Sequence, residues 1–197
     1  SGPGFGGSCF KKDILNLVYI CKSLGLREVA EYWDEIIKIN DWQQDRIYKT
    51  VVDKLYGNIS GKRIVILGFS FKADTNDTRN SPSITICRKL LAEDAQLVIH
   101  DPKVGKNNVF EALFGSKNNI KFNNKLIYEI NIPKAIENAD AVLIMTEWED
   151  YKNLDWKKLQ IKMRKPSWVF DTRSIISTNK IKETDLNFWQ LGNGEYN

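Results

Sequence analysis

Histidine is almost missing from this sequence, which has one, His100, among 197 residues. Catalysis by paired imidazoles and multi-histidine metal sites are set aside on that ground, and no metal is expected. Cysteine is also scarce: three residues, an odd and small number, argue against a disulfide framework and for a reducing compartment, so the chain reads as cytoplasmic. No apolar run approaches the ~18 residues of a membrane helix, and the N-terminus opens in glycines, not in the basic-then-apolar order of a signal peptide. Charge of one sign is not in marked excess: 29 Lys+Arg face 25 Asp+Glu, a net +4 spread along the chain. With no zinc-finger spacing and no RNP-like aromatic motif, nucleic-acid binding is not expected, while anionic small molecules remain suitable ligands. The 42% hydrophobic and 27% charged content belongs to a globular chain, and a chain of this size buries about 70% of its unfolded surface.

The periodicity divides the chain in two. Residues 1–57 hold a glycine-rich segment and helices, and residues 58–197 hold an α/β domain. Ser1 to Cys9 carries four glycines, which signals backbone freedom or close approach to a ligand. Ile14, Leu17, Val18, Cys21 and Leu24 recur at helical spacing, with Asp13 placed as N-cap and Gly25 as stop. A longer stripe, Val29, Trp33, Ile36, Ile37, Asn40, Ile47, Val51 and Leu55, predicts a helix over 27–56 closed by Gly57, about 45 Å long. So long a helix offers more apolar surface than its own unit covers, so part of it reads as a bridge and subunit contact.

Beyond residue 62 short β-branched runs alternate with helical patterns. Strands are expected at 63–67, 97–99, 141–145, 168–170 and 188–191. Helices are expected after Ser81-Pro82, at 133–138 and at 156–164. The stretch 105–131, rich in Lys and Asn, has no clear period and reads as surface. This alternation specifies a long connecting helix followed by a doubly wound, mainly parallel sheet, whose ligand crevice lies beyond the strand C-termini. Three polar loops fall there: 68–81, Thr146-Glu147-Trp148 and Asp171-Thr172-Arg173. Lys72, Arg79 and Arg173 would form a cationic rim suited to a diphosphate, or would pair with Asp74, Asp77 and Asp171. Only one glycine follows the first strand, in Gly68-Phe69-Ser70-Phe71, so this sheet does not carry a dinucleotide fingerprint. His100 reads as a strand-end residue. Cys21 and Cys87 lie on apolar stripes, whereas Cys9 sits between Gly6-Gly7-Ser8 and a helix start with Lys11 and Lys12 beside it. A thiol of pKa ~8.5 is about 3% ionised at pH 7, and one lowered to ~7 is half ionised. Position alone leaves nucleophile and plain structural cysteine as alternatives.

Gly4-Phe5-Gly6-Gly7-Ser8-Cys9-Phe10-Lys11-Lys12-Asp13 closely resembles the catalytic segment of the nucleotide-sugar 6-dehydrogenases of the UDP-glucose/GDP-mannose dehydrogenase family. The string from Gly68 to Pro82 resembles that family's C-terminal domain signature, and Asp101-Pro102, Thr146-Glu147-Trp148 and Phe170-Asp171-Thr172-Arg173 follow in the expected order. The resemblance implies a Rossmann-like domain and oxidation of UDP-glucose to UDP-glucuronate by two hydride transfers to NAD. Cys9 would trap the intermediate aldehyde as a thiohemiacetal and carry it to a thioester, and Asp13 would position or activate water. The Gly4, Phe5, Gly6 and Gly7 backbone would border the sugar, Lys72 and Arg173 would bind UDP, and Cys9, Phe10, Lys11, Lys12 and Arg79 would reach NAD. The same likeness implies a homodimer or higher homo-oligomer through the long helix. It also implies an N-terminal NAD domain ahead of Ser1, without which the piece is inactive. Lys11 and His100 depart from commoner residues without touching this chemistry. Alternatives are a non-catalytic UDP-sugar-binding and dimerisation module, or a dehydrogenase for UDP-N-acetyl-hexosamine or GDP-mannose.

Overall fold

In the computed structural model, which describes residues 2–115 and 124–193, the β-branched runs build the sheet. Arg63–Leu67 (β1), Gln96–His100 (β2), Leu126–Tyr128 (β3), Ala141–Ile144 (β4), Trp168–Asp171 (β5) and Asn187–Gln190 (β6) pair in the order β3-β2-β1-β4-β5-β6. Every pairing is parallel. The central strands are buried on both faces because successive residues enter opposite cores. Ile64, Ile66, Leu97, Ile99 and Leu143 join one, and Val65, Leu67, Val98, Val142 and Ile144 join the other.

Helices Phe10–Ser23 (α1) and Arg27–Lys54 (α2) precede the sheet. Pro82–Ala92 (α3), Lys106–Phe114 (α4), Ile132–Ala135 (α5), Glu149–Lys152 (α6), Trp156–Leu159 (α7) and Thr178–Lys182 (α8) are interleaved with the strands. Ser81 caps α3 as expected, its side chain accepting from the Ser83 N–H with Pro82 in the first turn. Asp13, in contrast, is not the N-cap of α1. Cys9 holds that place, and Asp13 lies in the first turn, its N–H donating to the Cys9 carbonyl at 2.8 Å. The helix itself starts just after Cys9, as expected, four residues ahead of its apolar stripe. α2 ends at Lys54, and the expected helix over 156–164 gives way after Leu159 to a 3-10 turn, Gln160–Lys162. The stretch without a clear period contains α4 and the edge strand β3, and residues 116–123 of it lie outside the described ones.

α2 belongs to two cores. Ala30 and Ile37 pack against Ile14, Val18 and Cys21 of α1, while Ile47, Val51 and Leu55 enter the sheet core with α3. Asp45 and Tyr48 add an ion pair to Lys89 of α3 and a hydrogen bond to Glu93, which follows it. The outward face of α1 and α2 leaves Tyr19, Tyr32, Ile39 and Trp42 exposed. Among the described residues no helix is long and apolar enough to cross a membrane.

His100 closes β2, as its place in the sequence suggests, and is 5% exposed; its Nδ1 meets the Tyr151 hydroxyl at 2.9 Å, and that hydroxyl donates to the His100 carbonyl at 3.2 Å. Burial holds the imidazole pKa below its usual value, against Asp101, Asp150, Glu129 and a hydrogen bond to the Ile130 backbone, which pull it up. Protonation therefore favours the unfolded chain: the stability that neutral His100 allows is complete above pH ~6.5 and is lost as pH falls through the lower folded value. Thermal melting of wild type is expected to fall more steeply than that of His100→Gln between about pH 7 and about pH 5. Parallel curves would remove His100 as the cause.

Candidate active site

The switch in strand order between β1 and β4 places three loops around one end of the sheet. The buried Asp101 carboxylate fixes the first of them. One oxygen accepts from the Phe69 N–H at 2.7 Å and the Ser70 N–H at 3.0 Å, the other from the Lys103 and Val104 N–H groups at 2.9 Å. Gly68 has φ +94°, and a Cβ there would stand 2.4 Å from that of Thr146, so the β1 and β4 loops touch at a point only glycine fits. The Thr146 hydroxyl, donating to the Ser70 carbonyl at 2.7 Å, completes the join.

The N-terminal glycine segment lies over this end. The Gly7 N–H donates to the Arg79 carbonyl at 2.7 Å, Asn80 Nδ2 donates to the Gly7 carbonyl at 3.0 Å, and both glycines press on Phe71: a Cβ on Gly6 would collide with Phe71 and the Asn80 carbonyl, and one on Gly7 would crowd the Phe71 ring at 3.1 Å. On the other side Asn40 and Gln43 of α2 bond to the backbone of Phe5 and Gly2. Between these supports is an open cleft of about 390 Å³ lined by Gly2, Gly4, Phe5, Gly6, Phe71 and Arg173.

Arg173 enters the cleft already held. Its Nε donates to the Met145 carbonyl at 2.8 Å and lies 3.1 Å from a Glu147 carboxylate oxygen, Nη2 donates to the Phe71 carbonyl at 2.9 Å, and Nη1 turns toward Gly2. Burial lowers its pKa and Glu147 opposes the shift; a guanidinium remains charged in either case. Its backbone N–H, not its side chain, meets Asp171. Lys72 is exposed with Nζ 5.5 Å from the Phe71 ring centre. Arg79 does not join Arg173 in a rim: it grips Asp77 through Nε and Nη2 at 2.7–3.2 Å, holding the Asp77 carboxyl below its ordinary pKa, and it lies within electrostatic reach of Cys9. Of the two alternatives in the sequence, carboxylate pairing therefore describes Arg79, while Arg173 faces the cleft.

Cys9 caps α1 with an exposed thiol, 3.6 Å from the Ser8 hydroxyl. Asp13 stands one turn further along, also exposed, on the same side of the helix. Lys11 and Lys12 flank them, and Phe10 stacks edge-on to Phe5 at 4.7 Å. Cys21 and Cys87 are buried, as their stripes indicate, and burial pushes the Cys87 thiol pKa up. Sequence reasoning assigned no role to Asn40, Gln43, Asn80 or Glu147. Asn40 had a visible signal, since it is an amide on an otherwise apolar stripe.

The family model for the UDP binding domain of the UDP-glucose/GDP-mannose dehydrogenase family matches residues 65–178, and that for the family's central domain matches residues 1–42. UDP-glucose 6-dehydrogenase 2 of Arabidopsis thaliana is 42% identical over 98% of this chain, and UDP-glucose 6-dehydrogenase 1 of Glycine max is 42% identical over 96% of it. The chain spans 42% of the length of each. A UDP-glucose dehydrogenase structure from Pyrobaculum islandicum superposes with TM-score 0.72 at 26% identity, over 95% of this chain and 38% of that one. A UDP-D-ManNAc dehydrogenase structure from Pyrococcus horikoshii shares the fold, with TM-score 0.72 at 24% identity, over 98% of this chain and 40% of that one. Motifs, strand order and matches agree: the chain belongs to the UDP-glucose/GDP-mannose dehydrogenase family.

Proposed function

We propose that this chain supplies the nucleophile and the nucleotide-binding wall for NAD-dependent oxidation of UDP-glucose to UDP-glucuronate. The observation that carries the reading is the join between two features: an exposed thiol capping α1, and a glycine backbone leading from it to a cleft that ends on Arg173. Arg173 Nη1 and Lys72 offer charge to a diphosphate. A Cβ on Gly4 or Gly6 would strike Asn40, or Asn80 and Phe71, so glycine lets the loop lie flat on these supports and turn bare backbone toward a hexose in the cleft.

The Cys9 sulfur then attacks the aldehyde carbon left by the first oxidation. A C–S bond forms, the carbonyl oxygen takes a proton, and the thiohemiacetal stays tethered. Oxidation of that adduct leaves a thioester, and water attacks its carbonyl. The C–S bond breaks, the carboxylate leaves with UDP, and the thiol recovers its proton. Asp13, one turn from Cys9, orients that water and accepts its proton.

NAD, when bound, supplies the acceptor for both hydrides. The β1–α3 turn does not fit it, since the Phe69 and Ser70 amides are spent on Asp101. The exposed surface around Cys9 does fit an anionic dinucleotide's edge, and Phe10, Lys11, Lys12 and Arg79 would border it there. The apolar face of α1 and α2, with Tyr19, Tyr32, Ile39 and Trp42, supports assembly as a homodimer, and the reaction belongs to the cytoplasm.

Relatives about 42% identical carry UDP-glucose in their names, which favours that sugar over acetylated hexosamines and GDP-mannose. Calorimetric titration of the 197-residue chain is expected to show saturable heat with UDP-glucose and with UDP, and weaker heat with UDP-N-acetylglucosamine and GDP-mannose. Absence of heat with UDP-glucose at millimolar concentration would refute the reading, and tighter binding of another sugar nucleotide would reassign the substrate.

A further inference from the structure

Asn40 is 7% exposed in the middle of α2, on the stripe otherwise given to apolar side chains. Burying an amide is costly unless both its ends are satisfied. Here both ends serve one residue: the Phe5 N–H donates to Oδ1 at 2.7 Å, and Nδ2 donates to the Phe5 carbonyl at 3.3 Å. Three residues on, Gln43 Nε2 donates to the Gly2 carbonyl at 3.0 Å. A Cβ on Gly4 would lie 2.6 Å from Asn40 Oδ1, so the loop rests directly on the amide. Asn40 itself does not line the cleft, whereas Gly4, Phe5 and Gly6 do.

A segment this rich in glycine has a large conformational entropy and does not choose one open shape unaided. Its far end is fixed by Arg79 and Asn80 through Gly7. The stretch that walls the cleft between these ends is fixed from α2, a helix seated in both hydrophobic cores.

We propose that Asn40 is a positioning residue for the nucleotide sugar: it imposes on Gly4–Gly6, three residues ahead of Cys9 in the chain, the backbone shape that keeps the cleft open, without touching the ligand. The proposal rests on the reading of the cleft as a UDP-glucose site. It separates two parts of binding. The diphosphate meets Arg173, which Asn40 does not hold, whereas the hexose meets the backbone that Asn40 does hold.

Titrations with UDP-glucose and with UDP, run on wild type, Asn40→Ala and Asn40→Asp, test it. They are paired with the rate of Cys9 alkylation by iodoacetamide in the presence of UDP-glucose. Asn40→Ala is expected to weaken UDP-glucose at least about tenfold and UDP by less than about twofold. The UDP-glucose concentration needed to protect Cys9 should rise in step. Asn40→Asp keeps the acceptor for the Phe5 N–H but sets a carboxylate oxygen against the Phe5 carbonyl, so an intermediate loss is expected, and this near-isosteric variant carries the test if the alanine variant does not fold. A merely structural role would lower the melting temperature and leave the ratio of UDP-glucose to UDP affinity unchanged. An unchanged ratio in a folded variant overturns the positioning role while leaving the UDP-glucose site intact. Failure of wild type to bind UDP-glucose overturns both.

Discussion

Cys9→Ser in the complete enzyme is expected to stop formation of the carboxylate, with at least about a thousandfold loss in turnover to acid. A serine hydroxyl has almost no anion to offer near neutral pH, whereas a thiol has a few per cent at its unperturbed pKa. The hydroxyl also cannot hold the aldehyde in a thioester-forming adduct. Cys21→Ser and Cys87→Ser are the controls. Both thiols are buried in helix-packing cores, so a hydroxyl there costs about 1–3 kcal/mol in stability without reaching the cleft. The checks are NADH released per UDP-glucose consumed and the mass of a trapped Cys9 adduct. A Cys9→Ser enzyme that still yields two NADH per sugar removes the covalent step from the mechanism.

The central strands were readable because burial on both faces leaves an unbroken apolar run, as in Ile64-Val65-Ile66-Leu67, whereas the edge strand β3, three residues long and only partly buried, was not. α2 was readable from its stripe, and α3 from Ser81-Pro82. The short helices α6 and α8 were not: four or five residues are too few to show a 3.6-residue period, and neither has the side-chain N-cap that Asn131 and Asp155 give the equally short α5 and α7. The start of α1 just after Cys9 was readable, but the cap went to Asp13, a good capping residue by type, whereas tertiary contacts at Gly7 set where the loop ends and hand the cap to Cys9. At the site, residue identity in the motifs marked Arg173 and Cys9, but the pairing of Arg79 with Asp77 depends on a tight local turn. The clamp by Asn40 joins residues 35 positions apart, a separation no local pattern encodes.

Arg173→Ala should give the second large loss, about a hundredfold in UDP affinity with a lowered melting temperature, because its guanidinium does two jobs. Toward the cleft, Nη1 is the cation best placed for a diphosphate. Toward the protein, Nε and Nη2 bind the Met145 and Phe71 carbonyls across the β1, β4 and β5 loops. Glu147 adds to the second job: one of its carboxylate oxygens is buried, accepts no hydrogen bond from the described residues, and has the Arg173 Nε as its ion-pair partner. Truncation leaves that oxygen without its partner, and because the Glu147 side chain is 35% exposed, water offsets part of the cost and the melting temperature falls modestly. Arg173→Lys therefore does not rescue: one ammonium cannot reach both carbonyls and the cleft from a single stem. Lys72→Ala is the contrasting case. Its exposed ammonium adds only long-range attraction, so UDP affinity should fall severalfold at low salt, by little at high salt, with melting unchanged. Calorimetry at two ionic strengths, with melting curves for all three variants, separates the two kinds of cation. Wild-type UDP affinity in folded Arg173→Lys would mean that the diphosphate does not sit at the end of the cleft where Arg173 is held.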